Sequence, residues 1–590
     1  MADALGLLSG GWLPVLVLVL PPLVLQCVAP VPRLDSDAIE YYAHLRSLYF
    51  DHDVQFENEF RHFGILSRWD KTNLTVTGHR RTNFSVGPAL LWMPFYAVGD
   101  VVARFLDDVE DGYSPSHIRA VCLGSLVYGL LGLLLLRRLL EEIVSREIAF
   151  FTAFALLYST FLFWYLVYEP VMSHAGSFFL AALALVLWWP GREALTARRG
   201  ALLGLVLGLA TTVRWQNALL LLLPAATLLR QLGRDRRRAV VAASLVLLAF
   251  FVGVLPQLLV FKAIFGEYVF TYPIQGRDYL RLDRPAWLET FFSSRHGLLF
   301  WTPVLWGGFL GYLILLRRHA ALAWATLPPL LLMTWVNAAS GDWWGGGGYS
   351  NRRFDSVLPF LALGLAVLLA RVGDLGARRP VLLLGAGGSL LTVWNLLFMT
   401  QYRENRIPRD EPVSFPRVTE TNAEILAEWV GSPVAWPANW LFARRHALPA
   451  AQYDLMVGKY LFHRQNNLGG VVDLGDDRSD PALLGEGWSA RRACGPAVCR
   501  AVLSRARLFA PLDVPETLDV TVRAQGDGHL DMAVNGQAVA EFPLSKDLVD
   551  RSVRVAAARF HGGLNEIALA VSPPGSVLVD RVTFERVKER

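Results

Sequence analysis

From the amino terminus to about Thr400 the chain is a succession of apolar runs separated by short polar turns. Many runs approach ~20 residues, the length of helix that crosses a hydrocarbon core of ~30 Å. They lie near 5–28, 118–136, 148–166, 174–189, 201–213, 217–229, 239–261, 298–316, 320–337, 354–371 and 380–400. The pattern predicts a polytopic α-helical membrane domain with about eleven spanning helices. After Thr400 the runs stop, and beyond about residue 480 the pattern alternates with period two, as half-buried strands do. Three segments follow: a membrane domain over 1–400, a connecting region over 401–480, and a β-sandwich over 481–590. Residues 30–117 form the first extracytoplasmic loop, with interfacial helices.

One run resists this scheme. Val86 to Leu106 carries Pro88, Pro94, Asp100 and Arg104. Spanning the membrane there would bury two charges, which is costly. It reads as an interfacial or re-entrant helix. The first run, Leu5 to Val28, is too long for a signal h-region and lacks a basic flank, so it reads as a retained helix.

Composition supports this reading. Of the 590 residues, 53% are hydrophobic and 18% charged, with mean hydropathy +0.36. Soluble domains carry about 25% charge, so an ordinary soluble enzyme is excluded. The net charge of +5 does not point to nucleic acid, because the basic residues cluster in short turns between apolar runs. Arg137, Arg138 and Arg146 share one turn, and Arg192, Arg198 and Arg199 another. Arg230, Arg234, Arg236, Arg237 and Arg238 follow, then Arg317 and Arg318, then Arg371, Arg378 and Arg379. These turns alternate, which places them on the cytoplasmic side with the amino terminus, and the C-terminal domain outside. A bacterial inner membrane suits this arrangement. Of four cysteines, Cys27 and Cys122 lie in apolar runs, while Cys494 and Cys499 flank a short polar loop suited to an extracytoplasmic disulfide.

The outer turns hold the chemistry. The first outer loop carries Asp35, Asp37, Glu40, Asp51, Asp53, Glu57 and Glu59 among aromatics. Asp37, Glu40 and Tyr41 share one helical face just above the membrane. This is either a solvated acidic helix or the seat of a catalytic carboxylate. Other outer ends hold Glu169 and His174; Arg214, Gln216 and Asn217; Arg295 and His296; and Asp342, Trp343, Trp344, Arg352 and Arg353. Outer arginines run against the positive-inside trend. Each either snorkels to a headgroup or joins a cationic pocket for phosphate, which guanidinium donors match. Gly345 to Gly348 is not a P-loop, because no Gly-Lys-Ser/Thr follows. Asn73 and Asn83 head glycosylation-type tripeptides, which also arise by chance.

In order, DSDAIEYYAHLRSLYFDHDVQFENEF, NFSVGPALLWMPFYAVGD, EPVMSHAGSFF, GLATTVRWQN, SSRHGLLFWTPVL and WWGGGGYSNRRF resemble the GT-C superfamily of membrane glycosyltransferases. The resemblance covers roughly residues 10–400, within the broad group of protein mannosyltransferases and aminoarabinose transferases. It implies a sugar donor carried on a polyprenyl phosphate, an acceptor glycan, lipid or protein on the outer face, and an acidic base in the first outer loop. Asp37 matches that base by position and Asp35 is the alternative, since Ser36 separates two acids that adjoin in relatives. Arg214, Arg295, Arg352 and Arg353, with His296, are candidates for the donor phosphate. Tyr41, Tyr42, Glu59, Glu169, His174, Trp343 and Trp344 are candidates for sugar or acceptor. The resemblance implies no obligatory metal, although the acidic loop has the residues to hold a divalent ion. Two other readings stay open: a ligase moving a whole glycan from a lipid pyrophosphate, and a non-enzymatic glycan receptor or transporter.

In the tail, LDVTVRA, HLDMAVNGQAVAEF, RSVRVAAARF, LNEIALAV and SVLVDRVTFERV read as strands, with Asn535-Gly536 a hairpin turn. DMAVNGQAVAEF and FHGGLNEIALAV resemble carbohydrate-binding jelly-roll modules. A structural cap without a ligand is the alternative.

Overall fold

The structure is a computed structural model that describes residues 12–29, 32, 34–68, 71–270, 279–374, 379–456, 470–475, 481–512, 514–572 and 577–587. The start of the first apolar run, Pro30 and Arg378 lie outside the described residues. The chain divides into two compact units, Met1–Asn422 and Ala423–Arg590.

The first unit is helical. Its main helices are α1 (Leu13–Val28), α2 (Asp37–Arg46), α3 (Gly87–Phe105), α4 (Pro115–Leu140), α5 (Arg146–Tyr158), α6 (His174–Trp188), α7 (Ala197–Val213), α8 (Leu222–Leu232), α9 (Arg236–Phe265), α10 (Leu305–Arg318), α11 (Ala320–Ala339), α12 (Leu358–Gly373) and α13 (Arg379–Arg403). Every apolar run of the sequence thus has a helix in it. Two runs are broken. One stops at Ser159 and resumes at Leu162–Val167, and the other breaks at Thr302-Pro303, where proline removes a backbone donor. Among the described residues five helices are long and apolar enough to cross a membrane: Pro115–Leu140, His174–Gly191, Arg236–Phe265, Ala320–Ala339 and Arg352–Gly373.

The ambiguous run is one continuous helix, α3, and it is not among those five. Its Asp100 is buried but not abandoned. Arg104 Nη2 donates to it at 2.8 Å, Tyr49 Oη at 3.2 Å, and His117 Nε2 lies 3.4 Å away. Such partners offset part of the desolvation cost of burying a charge.

Small residues let the helices meet backbone to backbone. Gly200, Gly204 and Gly208 recur every four positions on α7 and face α9. A Cβ on Gly204 would stand 2.2 Å from the Val246 carbonyl, and one on Gly208 2.3 Å from that of Phe250. This is the small-residue packing that drives helix association where no hydrophobic effect operates. α7 then ends because Arg214 adopts an extended conformation (φ −148°, ψ 121°), which turns the chain into the short helix Trp215–Leu221.

The polar ends of these helices divide into two sets. The arginine-rich turns adjoin the C-termini of α4, α8, α10 and α12 and the N-termini of α7 and α9. The residues of the candidate site adjoin the N-termini of α2, α6 and α12 and the C-terminus of α7.

In the second unit two antiparallel sheets face each other. Its strands are β1 (Val471–Asp473), β2 (Trp488–Cys494), β3 (Ala497–Val502), β4 (Arg505–Leu512), β5 (Leu518–Gly526), β6 (His529–Val534), β7 (Gln537–Pro543), β8 (Val549–Val555), β9 (Gly563–Ser572) and β10 (Val577–Arg586). One sheet runs β2-β3-β10-β5-β8, with β1 on β10; the other runs β4-β9-β6-β7. On β5, Leu518, Val520, Val522 and Ala524 point inward and the residues between them outward, the expected alternation. Asn535 (φ 49°) and Gly536 (φ 79°) make the β6–β7 turn, both in the left-handed region that a tight hairpin requires. Cys494 and Cys499 form a disulfide across the β2–β3 hairpin.

Candidate active site

Asp37 is the first residue of α2. Ser36 before it takes φ 47° and ψ −121°, a costly conformation for a residue with a Cβ. That kink is fixed locally: the Ser36 N–H donates to Asp35 Oδ1 at 2.7 Å, and Ser36 Oγ donates to Asp37 Oδ1 at 3.2 Å. The other carboxylate oxygen, Oδ2, accepts from Arg352 Nη2 at 2.8 Å. Arg352 is held in turn by its Nε donating to the Gly345 carbonyl at 2.8 Å. Gly345 and Gly346 have φ of +83° and +71°, so the glycine run makes a turn that other residues enter only with strain.

Burial pushes the Asp37 carboxyl up. The Arg352 guanidinium, the Ser36 hydroxyl and His174 outweigh it and hold the acid below its ordinary value. Asp37 is therefore ionised at neutral pH. Glu169, nearby, is driven the other way: burial raises it, opposed by its hydrogen-bonding environment and by Arg352 and Arg409.

Asp37 and Arg352 line a cavity of about 400 Å³ whose wall also includes Asp35, Glu169, Gly348 and Arg409. Arg409 arrives from the segment after α13, and its Nη1 lies 3.8 Å from Glu169 Oε1. Several side chains pin that segment. Tyr402 Oη donates to the Gly347 carbonyl at 2.6 Å, and His296 Nε2 lies 2.9 Å from the Arg409 carbonyl. Trp344 Nε1 donates to Asp410 Oδ1 at 2.6 Å and Arg295 Nη2 to the same atom at 3.1 Å. The Arg295 guanidinium stacks 3.9 Å over the Trp344 ring.

Behind the cavity lies a buried polar knot centred on Asp355. His174 Nδ1 is 2.7 Å from its Oδ2, Arg214 Nη1 is 3.3 Å from the same atom, and Ser177 Oγ donates to Oδ1 at 2.8 Å. Arg214 and Tyr41 both donate to Ser173 Oγ, at 3.2 and 3.1 Å. Asp355 shares the short helix Arg352–Val357 with Arg352, so the knot anchors the element that presents Arg352 to the cavity.

No protein-family model matches the chain, and no curated protein matches it. Solved structures do resemble it. ArnT from Cupriavidus metallidurans bound to undecaprenyl phosphate is similar over 75% of this chain and 74% of its own, at 13% identity and TM-score 0.45. The arabinosyltransferase EmbB from Mycobacterium smegmatis is similar over 97% of this chain and 64% of its own, at 13% identity and TM-score 0.38. The carbohydrate-binding module CBM35 from Paenibacillus barcinonensis resembles the C-terminal part, 20% of this chain and 94% of its own, at 14% identity and TM-score 0.14. All three likenesses are distant.

The structure sorts the sequence candidates. Asp35, Asp37, Glu169 and Arg352 meet in the cavity wall. Tyr41, His174 and Arg214 belong to the knot behind it. Arg295, His296 and Trp344 hold the Arg409 segment, and Trp343 accepts a hydrogen bond from Asn351 Nδ2 at its carbonyl. Burial lowers His296 to about 4, so at neutral pH it is a neutral hydrogen-bonding group stacked 4.6 Å from the Trp301 ring. Arg353 pairs with Asp342 and donates to Tyr279 Oη at 2.6 Å, away from the cavity lining. Tyr42 is buried and donates to the Gly112 carbonyl at 2.6 Å, and Glu59 is buried against Arg46 at 3.0 Å.

Arg409, Asp355, Ser36 and Asp410 were not among the sequence candidates. A signal for Arg409 and Asp410 exists in RENRIPRDEP, a dense mixture of both charges directly after the last apolar run. Among the described residues, no three His, Cys, Asp or Glu side chains group in a way that suits a metal ion.

Proposed function

We propose that the chain is a membrane glycosyltransferase that moves a sugar from a polyprenyl-phosphate donor to a hydroxyl of an extracytoplasmic glycan, lipid or protein. The observation that carries this reading is the ionised Asp37 held by Arg352 in the cavity wall, with Arg409 as a second cation. As the acceptor hydroxyl attacks the anomeric carbon, Asp37 takes its proton. The bond from that carbon to the lipid-phosphate oxygen breaks and its electron pair leaves on the phosphate. Arg352 and Arg409 stabilise that charge, since guanidinium donors match phosphate oxygens. The donor phosphate competes with Asp37 for Arg352. Its binding draws the guanidinium away and leaves Asp37 a stronger base when the acceptor arrives.

The separation of helix ends supports an outward-facing site. Arginine-rich turns mark the cytoplasmic ends under the positive-inside rule, and the site residues adjoin the opposite ends. The amino terminus is then cytoplasmic and the second unit extracytoplasmic, bathed in the compartment that keeps Cys494 and Cys499 oxidised.

The second reading, a ligase that moves a whole glycan from a lipid pyrophosphate, draws on the presence of two guanidinium groups at the cavity. Purified protein with a panel of labelled donors separates the two. Transfer from a polyprenyl-monophosphate monosaccharide supports the first reading. Transfer only from a pyrophosphate-linked oligosaccharide replaces it with the second.

A further inference from the structure

The helix Trp436–His446, within the second unit, is amphipathic in an inverted sense. Its Asn439 and Phe442 are buried, and Phe442 joins the core of that unit. The opposite face carries Trp436, Trp440 and Leu441, which are 52%, 44% and 59% exposed. At i, i+4 and i+5 these side chains share one side of the helix. The two indoles stack with ring centroids 6.1 Å apart. Val434, in the turn before, is almost fully exposed, and Trp429 is more than half exposed. A soluble surface rarely collects apolar side chains this way without a partner.

The helix's own formal charges have one sign. Arg444, Arg445 and His446 fill the last turn, and the helix WPANWLFARRH has no acid. Arg444 lies 5.6 Å from the centre of the Trp440 ring, so cation and aromatic are presented together. Tryptophan and arginine beside bulky aliphatics are what a helix needs to lie in the headgroup zone, indoles at the interface and guanidinium groups on lipid phosphates. A sugar-stacking platform is the other use of paired indoles, but Leu441 and Val434 give a sugar nothing to hydrogen-bond. Upstream in the chain, Arg352–Gly373 is long and apolar enough to cross a membrane, so the second unit follows a membrane-spanning segment.

We infer that Trp436–His446 is an interfacial helix that docks the second unit onto an anionic lipid surface, with Trp436, Trp440 and Leu441 in the lipid and Arg444 and Arg445 at the phosphates. The inference stands independently of the transferase reading.

The test uses the full chain in nanodiscs of phosphatidylcholine with phosphatidylglycerol. A nitroxide is placed at Leu441→Cys in a Cys27→Ser background, and a water-facing control at Ala538→Cys on β7. Oxygen concentrates in lipid and a nickel chelate in water, so their accessibility ratio reads depth. The ratio at position 441 should clearly exceed that at 538. Replacing Arg444 and Arg445 by Glu should pull the 441 ratio toward the control in the anionic nanodiscs and change it little in phosphatidylcholine alone. A 441 ratio equal to the control puts the helix in water and overturns the inference. Low access to both reagents means that protein, a second copy or another part of the chain, covers the face, and overturns it as well. Loss of access only on adding soluble glycan assigns the face to sugar. No response to the glutamate pair removes the anionic-lipid element. Both labelled side chains are exposed, so folding is not at issue.

Discussion

Asp37 is poised by two opposed effects of similar kind. Burial disfavours its charge, and Arg352 at 2.8 Å restores it. Removing the arginine leaves burial opposed only by the Ser36 hydroxyl and His174, so Arg352→Gln should raise the Asp37 carboxyl from its wild-type position. The acidic limb of a pH–rate profile should move to higher pH in that variant, with transfer efficiency down by about 10²–10³-fold. An unmoved limb would separate Arg352 from the base. Glu59 is a second sensitive acid. Burial raises it from its ordinary 4.5 to about 7, Arg46 opposes this only in part, and Oε2 has no partner. Its folded form holds a proton that the unfolded chain releases. The stability this gives is full below pH 4.5 and is lost as pH rises through about 7. Glu59→Gln should therefore raise the melting temperature at pH 8 and leave it nearly unchanged at pH 4.5, in thermal unfolding of the detergent-solubilised protein.

At the scale of elements, the site depends on helices that touch through glycine. α7 delivers Arg214 to the Asp355 knot, and α9 holds α7 in place against Gly204 and Gly208. Gly204→Leu should drive the two helices apart at a contact where even a methyl group meets the Val246 carbonyl. A loss of at least about 1–3 kcal/mol is expected, measurable by thermal unfolding. Activity should fall with it, through Arg214 and the elements that share Asp355. The apolar runs and the strands β5 to β10 were legible because period and length report burial directly. β2, β3 and β4 were not. β2 exposes four successive residues, Ala490 to Ala493, β3 exposes Val498 and buries Ala501 and Val502 side by side, and β4 is buried at every residue after Arg505, so none of them alternates cleanly. The glycine spacing on α7 was in plain view, but its meaning needed α9 opposite. Asp37 and Arg352 stood out as charged groups at outer helix ends. Arg409 and Asp355 did not, because each acquires its role only from residues far away in the chain, Glu169 for one and His174 and Arg214 for the other.

At the scale of the whole molecule, two units of different physics share one chain. A helical unit with its arginine-rich turns at one set of ends carries a charged cavity at the other. A disulfide-bearing sandwich with an aromatic helix follows it. In the proposed sugar transfer Asp37 accepts the proton of the acceptor hydroxyl. The most direct test compares wild type with Asp37→Asn in transfer of label from a polyprenyl-phosphate sugar to an extracytoplasmic acceptor, with donor binding measured on the same samples. Asn has the same shape and cannot take the proton. Transfer should drop by about 10²–10⁴-fold with donor binding retained. Transfer at the wild-type rate by a folded Asp37→Asn protein would remove Asp37 as the proton acceptor.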